Sequence, residues 1–238
     1  MPILPDFETA QTMFHEYEIN VPRGTFEKLE IYADFLVDYN QKVNLTALTD
    51  GDEILRKHFL DSFLLHHFAE KCFSDSAKVL DIGSGAGFPG VPLALLRPDL
   101  DITLLDSLNK RIIFLDLLKE KLSCKYQAIH GRAEDFAKNP DYRERFDIVT
   151  ARAVAGLPIL AEYSLPYVKP GGYWVAMKGK EDIQPALHAI DVLRGTLEDS
   201  ITYQLPGGDE RTLYIIKKLS PCPTKYPRKI AQIKQKTL

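Results

Sequence analysis

The chain has 238 residues, 45% of them apolar and 26% charged, with a formal net charge of -3 and three cysteines. That length and apolar content suit one large core, or one domain with a smaller attachment, and exclude a disordered chain. Cys72, Cys124 and Cys222 are odd in number and widely spaced, which supports neither a disulfide framework nor a paired-cysteine zinc site; no metal is expected and the thiols read as buried or idle.

No run approaches the ~18 apolar residues of a membrane span, and the start, MPILPDFETAQ, lacks the basic and apolar regions of a signal peptide, so a cytosolic chain is expected. Charge is uneven along the chain. Residues 1–20 carry Asp6, Glu8, Glu16 and Glu18 with no Lys or Arg, whereas residues 221–238 carry Lys225, Arg228, Lys229, Lys234 and Lys236 with no acid. The basic tail reads either as a phosphate contact or as a solvated, frayed terminus.

In chain order, Phe26, Leu29, Ala33, Leu36 and Val37 recur at helical spacing. Ile54, Leu55, His58, Phe59, Ser62 and Phe63 repeat the pattern after the NLTALTDGD break, so residues 1–70 are expected to form a helical extension. From residue 71 the texture changes to short apolar runs, KVLDI, DITLLD, KYQAI, FDIVTA and YWVAMK, separated by helical patterns. That alternation predicts an α/β domain over 71–220, with a mostly parallel sheet covered on both faces. ITYQL and TLYIIKK flank the turn residues Pro206, Gly207, Gly208 and Asp209, which predicts an antiparallel hairpin at one edge of the sheet. The basic tail occupies 221–238.

The segment VLDIGSGAGFPG places Gly83, Gly85 and Gly87 directly after the first strand, where a doubly wound sheet brings backbone close to a ligand; the alternative is a tight turn and nothing more. Gly85, Gly87 and Gly90 also satisfy G-x-G-x-x-G, and Asp106 closes the next strand, so a dinucleotide with its ribose on that carboxylate competes with S-adenosylmethionine. Pro89 and Pro92 remove two donors from the helix that would hold a pyrophosphate, and Asp81 adds negative charge beside the loop. Both features favour a cationic adenosyl ligand, although Asp81 also reads as a turn cap. Asp106 is expected to accept from the ribose hydroxyls, with Ser107 beside it. Ala133 and Glu134 follow the third strand, where an adenine edge would lie, and Glu134 and Asp135 read as helix caps in that position. Arg152 stands just beyond the fourth strand.

These segments resemble the bacterial small-subunit (16S) ribosomal RNA guanine-N7 methyltransferases, once called glucose-inhibited division protein B. VNLTALTD with RKHFLDS, then VLDIGSGAGFPGVPLAL, LLDSLNKR, GRAED, FDIVTARAVAGL and KYPRK carry the likeness from Asn40 onward. The resemblance implies a class I S-adenosylmethionine-dependent methyltransferase fold with a helical N-terminal extension, cofactor contacts at Gly83, Phe88, Ala133, Glu134 and Arg152, and 16S rRNA or the 30S particle as partner. The family tail carries a glycine and two prolines where this chain has Ala231, Ile233 and Thr237, a departure that bears on the last eight residues.

Guanine N7 presents a lone pair and has no proton to lose, so the implied reaction is direct in-line transfer without a general base, governed by positioning. Thr150-Ala151-Arg152-Ala153 lacks the Asn/Asp-Pro-Pro-aromatic motif of exocyclic-amine methyltransferases, and no cysteine is placed for covalent C5 chemistry. Arg152 is expected to border both ligands and orient the purine, or else to form a structural salt bridge. Lys178 and Lys180, with Lys110 and Arg111, are expected to give the mouth a positive rim for phosphates. No feature demands more than a monomer. An NAD-dependent oxidoreductase and a non-catalytic adenosyl-ligand sensor stand as competing readings.

Overall fold

The structure, a computed structural model, describes residues 2–238. The sheet forms where apolar runs are long enough to be buried on both faces. β1 (Lys78–Ile82) and β2 (Asp101–Asp106) coincide with KVLDI and DITLLD, and β3 (Gln127–His130), β4 (Phe146–Arg152) and β5 (Val168–Lys178) follow, all paired in parallel. β6 (Gly195–Gln204) and β7 (Glu210–Lys218) form the hairpin, with β7 antiparallel to both of its neighbours. The strand order is β3-β2-β1-β4-β5-β7-β6, so connections run away in opposite directions from the β1/β4 pair. That reversal leaves a crevice beyond the carboxyl ends of these two strands.

Side chains alternate across β1. Val79 joins one core and Leu80 and Ile82 the other. The first core is covered by α1 (Phe7–His15), α2 (Arg23–Asn40), α4 (Asp61–Phe68), α5 (Gly90–Leu96) and α6 (Asn109–Leu122). In it Phe14, Phe26, Tyr32, Phe59 and Phe63 pack in one cluster with Val79, Ile102 and Phe114. The helical N-terminal segment therefore shares its core with the sheet. The second face carries α7 (Ala133–Phe136), α8 (Leu157–Ser164) and α9 (Leu187–Val192) around Trp174.

Two local features differ from the sequence expectation. Between α3 (Gly51–Ile54) and α4 the chain makes a π-helical turn, Leu55–Leu60, which helical spacing alone does not distinguish from an α-helix. The tail is not frayed. Arg143 donates to the carbonyls of Cys222 (2.9 Å) and Tyr226 (2.8 Å), and Arg228 grips the buried Glu162 of α8 through Nε (2.9 Å), Nη2 (2.6 Å) and its own backbone N–H (2.8 Å). Beyond it α10 (Ile230–Gln235) inserts a fully buried Ile233; the absence of Gly and Pro from Lys229 to Leu238 permits that helix. Arg228 is thus held by Glu162 rather than offered to phosphate.

Replacing Arg228 with Ala strands Glu162 without its charged partner. Urea unfolding is expected to show a loss of roughly 3 kcal/mol, with trypsin now cutting at Lys229 and Lys234. An unchanged midpoint and an uncut tail would contradict this anchor.

Candidate active site

The loop after β1 is shaped from both sides. Gly83, Gly85 and Gly87 all take positive φ, at 67°, 60° and 99°. At Gly87 the constraint is also spatial: a Cβ would lie 2.7 Å from Tyr32 Oη and 2.7 Å from Val91 Cγ2. Tyr32, fully buried on α2, donates its hydroxyl to the carbonyl of Ala86 and stacks on Phe88 with centroids 5.1 Å apart. Gly83 N–H donates to Leu105 O (2.7 Å), and Gly85 N–H to Asp106 Oδ2 (2.9 Å).

Asp106 has few acceptor positions left. Its Oδ2 also takes Arg111 Nη1 (3.0 Å) and its Oδ1 takes Leu108 N–H (2.9 Å), while the side chain is 1% exposed. Where the sequence suggested an open ribose acceptor, the carboxylate braces the glycine loop, with Arg111 across it. Asp81 is also displaced from its expected place. It shares the inward face of β1 with Val79, is fully buried beneath the loop, and accepts Gly90 N–H (3.2 Å), which makes it a cap on α5. Its Oδ1 has no partner, and burial pushes the carboxyl up to about 7, against the opposing pull of the Gly90 and Ser84 hydrogen bonds.

The start of α5 offers nothing to a pyrophosphate. Gly90 N–H goes to Asp81, Val91 N–H to Gly87 O (2.7 Å), Leu93 N–H to Pro89 O (3.1 Å), and Pro92 has none.

Three cavities with shared walls run across the carboxyl ends of the strands. The first, about 140 Å³, is walled by Gly83, Ser107, Ala133, Glu134, Tyr163 and Ile230 among others. Glu134 is 5% exposed, and its Oε1 is buried without a hydrogen-bond partner, 3.8 Å from Arg132 Nη1. Neither Glu134 nor Asp135 caps α7, whose N-cap is Arg132 with no side-chain bond. The second cavity, about 210 Å³, is bounded by Gly83, Gly85, Phe88, Arg111, His58 and Arg152. The third, about 410 Å³, is bounded by His58 and Arg152 again, with Asp61, Lys178, Lys180 and Arg211. Gly87, behind the loop, lines none of these walls, and nor does Lys110.

Arg152 stands at the junction of the second and third cavities. Its Nη1 donates to the carbonyl of Lys57 (2.8 Å) and to Asp61 Oδ2 (3.1 Å), its Nη2 donates to His58 Nδ1 (2.9 Å), and its guanidinium lies 5.1 Å over the Phe88 ring. Because Nδ1 accepts from a guanidinium, the His58 proton sits on Nε2, which donates to Thr46 Oγ1 at 2.9 Å. Burial, reinforced by Arg152, holds His58 down at about 3, so the ring stays neutral, stacked 4.2 Å from Phe88. Asn40 fixes the Thr46 loop by accepting from Leu45 (2.7 Å) and Thr46 (3.0 Å). Asp61, 1% exposed, is completed by Tyr203 Oη at 2.8 Å. Sequence alone points to Arg152 but not to its partners His58 and Asp61, nor to Thr46 behind His58; the segments VNLTALTD and RKHFLDS that contain them are the available signal.

Lys178 is tied to Glu181 (2.6 Å) and Ala155 O (2.7 Å), and Glu181 also accepts Leu157 N–H (2.8 Å); Lys180 is exposed on the same wall. Among the described residues no cluster has metal-ligand composition, no helix is long and apolar enough to cross a membrane, and Cys72 and Cys222 are buried, with burial raising Cys72 to about 11.

A family model described as rRNA small subunit methyltransferase G matches residues 25–193. A Clostridium novyi protein named ribosomal RNA small subunit methyltransferase G is 49% identical over 212 residues, covering 87% of this chain and 86% of its own. A Streptococcus pneumoniae protein of the same name is 42% identical over 228 residues, covering 93% and 95%. Two solved structures share the fold. One, from Klebsiella pneumoniae and assigned as an O-methyltransferase, has a TM-score of 0.54 at 13% identity over 88% of this chain and 96% of its own. The other, from Listeria monocytogenes and assigned as a class I S-adenosylmethionine-dependent methyltransferase, has a TM-score of 0.56 at 15% identity over 81% and 69%.

Asp81 gives the site a pH signature. The folded chain keeps this proton to about pH 7 while an unfolded aspartate releases it near pH 4, so the folded state binds the extra proton between those values and stability falls as pH rises across the window. Unfolding free energies from urea titrations are expected to fall from pH 5 to pH 8 by a few kcal/mol more in the wild type than in Asp81→Asn. Equal drops in the two proteins would contradict the assignment.

Proposed function

The chain belongs to the rRNA small subunit methyltransferase G family, and from that membership we propose that it transfers the methyl group of S-adenosylmethionine to N7 of a guanine in 16S rRNA. The observation that carries the reading is the junction at Arg152, where the cavity along the glycine loop and a cation-rimmed cavity share one guanidinium and one neutral imidazole.

The residues present fit the donor. Gly83, Ser107, Ala133 and Glu134 wall the part of the crevice suited to an adenosyl group, and the unpartnered Glu134 oxygen is ready to accept from a base N–H. Gly85, Phe88 and Arg152 wall the part nearer the acceptor cavity. Asp81, buried below the loop with one unpartnered oxygen, supplies negative potential as it ionises, which favours a positively charged ligand over a phosphate. When bound, the donor supplies an electrophilic methyl group on a sulfonium.

The acceptor side lacks a free base, which suits a nucleophile that loses no proton. His58 has its only lone pair committed to Arg152, Asp61 is shared among Arg152 and Tyr203, and Glu181 is held by Lys178 and Leu157. An amine or hydroxyl acceptor would need one of these groups; guanine N7 needs none. Arg152, fixed through three acceptors, orients the purine by donating toward O6 rather than N7, because a bond to N7 would occupy the reacting lone pair. Its salt bridge to Asp61 and its positioning role coexist, since the first is what holds the guanidinium for the second. Lys180 and Arg211 on the same wall present charge to the RNA backbone. The committed N–H groups of α5 speak against the dinucleotide reading. A cytoplasmic monomer acting on 16S rRNA, free or within the 30S particle, completes the proposal.

Labelled methyl is expected to pass from S-adenosylmethionine to 16S rRNA and to map to N7 of one guanine. Transfer to an exocyclic amine or to carbon, or tight NAD binding without donor binding, would overturn the reading. Arg152→Lys keeps the charge but cannot bridge Lys57, Asp61 and His58, and is expected to lower kcat about 100-fold.

A further inference from the structure

The C-terminal segment is ordered by contacts that have no evident purpose in closing the sheet, and it ends on the cofactor crevice. Arg143 and Arg228 pin residues 222–228, Cys222 and Tyr226 join the second core, and Ile233 of α10 is fully buried. Ile230 then stands one turn before Ile233. Unlike Ile233 it is not fully buried, and the surface it keeps open lines the 140 Å³ cavity opposite the glycine loop, in company with Ser107, Glu134 and Tyr163. Glu162, which anchors Arg228, immediately precedes Tyr163 on α8, so the anchor and the cavity wall are set by consecutive residues.

Resting on the function proposed above, we infer that Ile230 is a positioning residue for the methyl donor: it is the apolar wall against which the adenine base packs, so the C-terminal helix sets donor affinity. The chemistry is complementary. The polar requirement of a purine edge is met by the unpartnered Glu134 oxygen, and its apolar face needs a side chain such as Ile230 to leave water. The wall is supplied from the end of the chain, outside the strand-end loops that supply Gly83, Ser107 and Ala133. The role is confined to the donor, because Ile230 lines neither the cavity at Phe88 nor the one at Lys180.

The test uses the full chain with Ile230→Ala, Ile230→Val and Ile230→Leu, titrated with S-adenosylhomocysteine and with adenosine, and assayed for methyl transfer to 16S rRNA. Ile230→Ala is expected to weaken both ligands about tenfold and to raise the donor KM by a similar factor, with kcat and the RNA KM unchanged. Ile230→Val should weaken them two- to threefold and Ile230→Leu restore wild-type affinity. The adenosine arm locates the effect in the adenosyl half, and the split between KM and kcat separates positioning from general damage, which would lower kcat and the urea midpoint together. Wild-type affinity in Ile230→Ala, or a loss seen equally in kcat, would overturn the inference while leaving the function intact. Failure of the wild type to bind S-adenosylhomocysteine would instead overturn the functional reading on which it rests.

Discussion

The guanidinium of Arg152 is the constraint on which the rest of the site depends. It leaves the carboxyl end of β4 and is captured entirely by the N-terminal helical segment, through Lys57 O, Asp61 and His58. Asp61 is almost fully buried, and a carboxylate in that position requires a fixed partner. The partners cluster on the π-helical turn and the residue that follows it: Lys57 O, His58 Nδ1 and Asp61 Oδ2 meet the same guanidinium. The ion pair consequently fixes geometry: it holds a cation at the boundary of two cavities with its planar face over Phe88 and its charge partly neutralised, so that a second cation is tolerated nearby.

The glycine loop is held with equal completeness from below and above. Asp106 braces it at Gly85, Tyr32 at Ala86, and Asp81 ties the following helix at Gly90. Carboxylates at the ends of β1 and β2 are therefore spent largely on the protein's own N–H groups, and the acceptor left over in the crevice is the buried oxygen of Glu134. A site with few free donors and a carboxylate oxygen without a hydrogen bond suits a cationic ligand without phosphates. The absence of a free base on the acceptor side suits a ring nitrogen, and the two properties belong to one transfer reaction.

How much of this was legible in the sequence depends on whether the signal was local. β1 and β2 match KVLDI and DITLLD residue for residue because continuous apolar runs have one good solution in a doubly covered sheet, and the Pro-Gly-Gly-Asp turn fixed the hairpin. The loop glycines were readable because positive φ and close approach leave few alternatives. A strand-end position says that a carboxylate is near the crevice but not whether it faces the cavity or the backbone beneath it, and here Gly90 N–H bonds to Asp81 and Gly85 N–H to Asp106. His58 and Asp61 lie far from Arg152 in sequence, so no local signal joins them to it. The tail was read by its charge, whereas its fate was decided by Ile233 and by Glu162, an acid within the apolar helix LPILAEYS that needed a distant partner.

The most direct test of the account is a crystal structure of the protein with S-adenosylhomocysteine. The adenine is expected among Gly83, Ala133, Glu134 and Ile230, and the sulfur at the opening between Phe88 and Arg152, facing the cavity of Asp61 and Lys180. A ligand lying in that larger cavity, or one whose sulfur points away from Arg152, would contradict it.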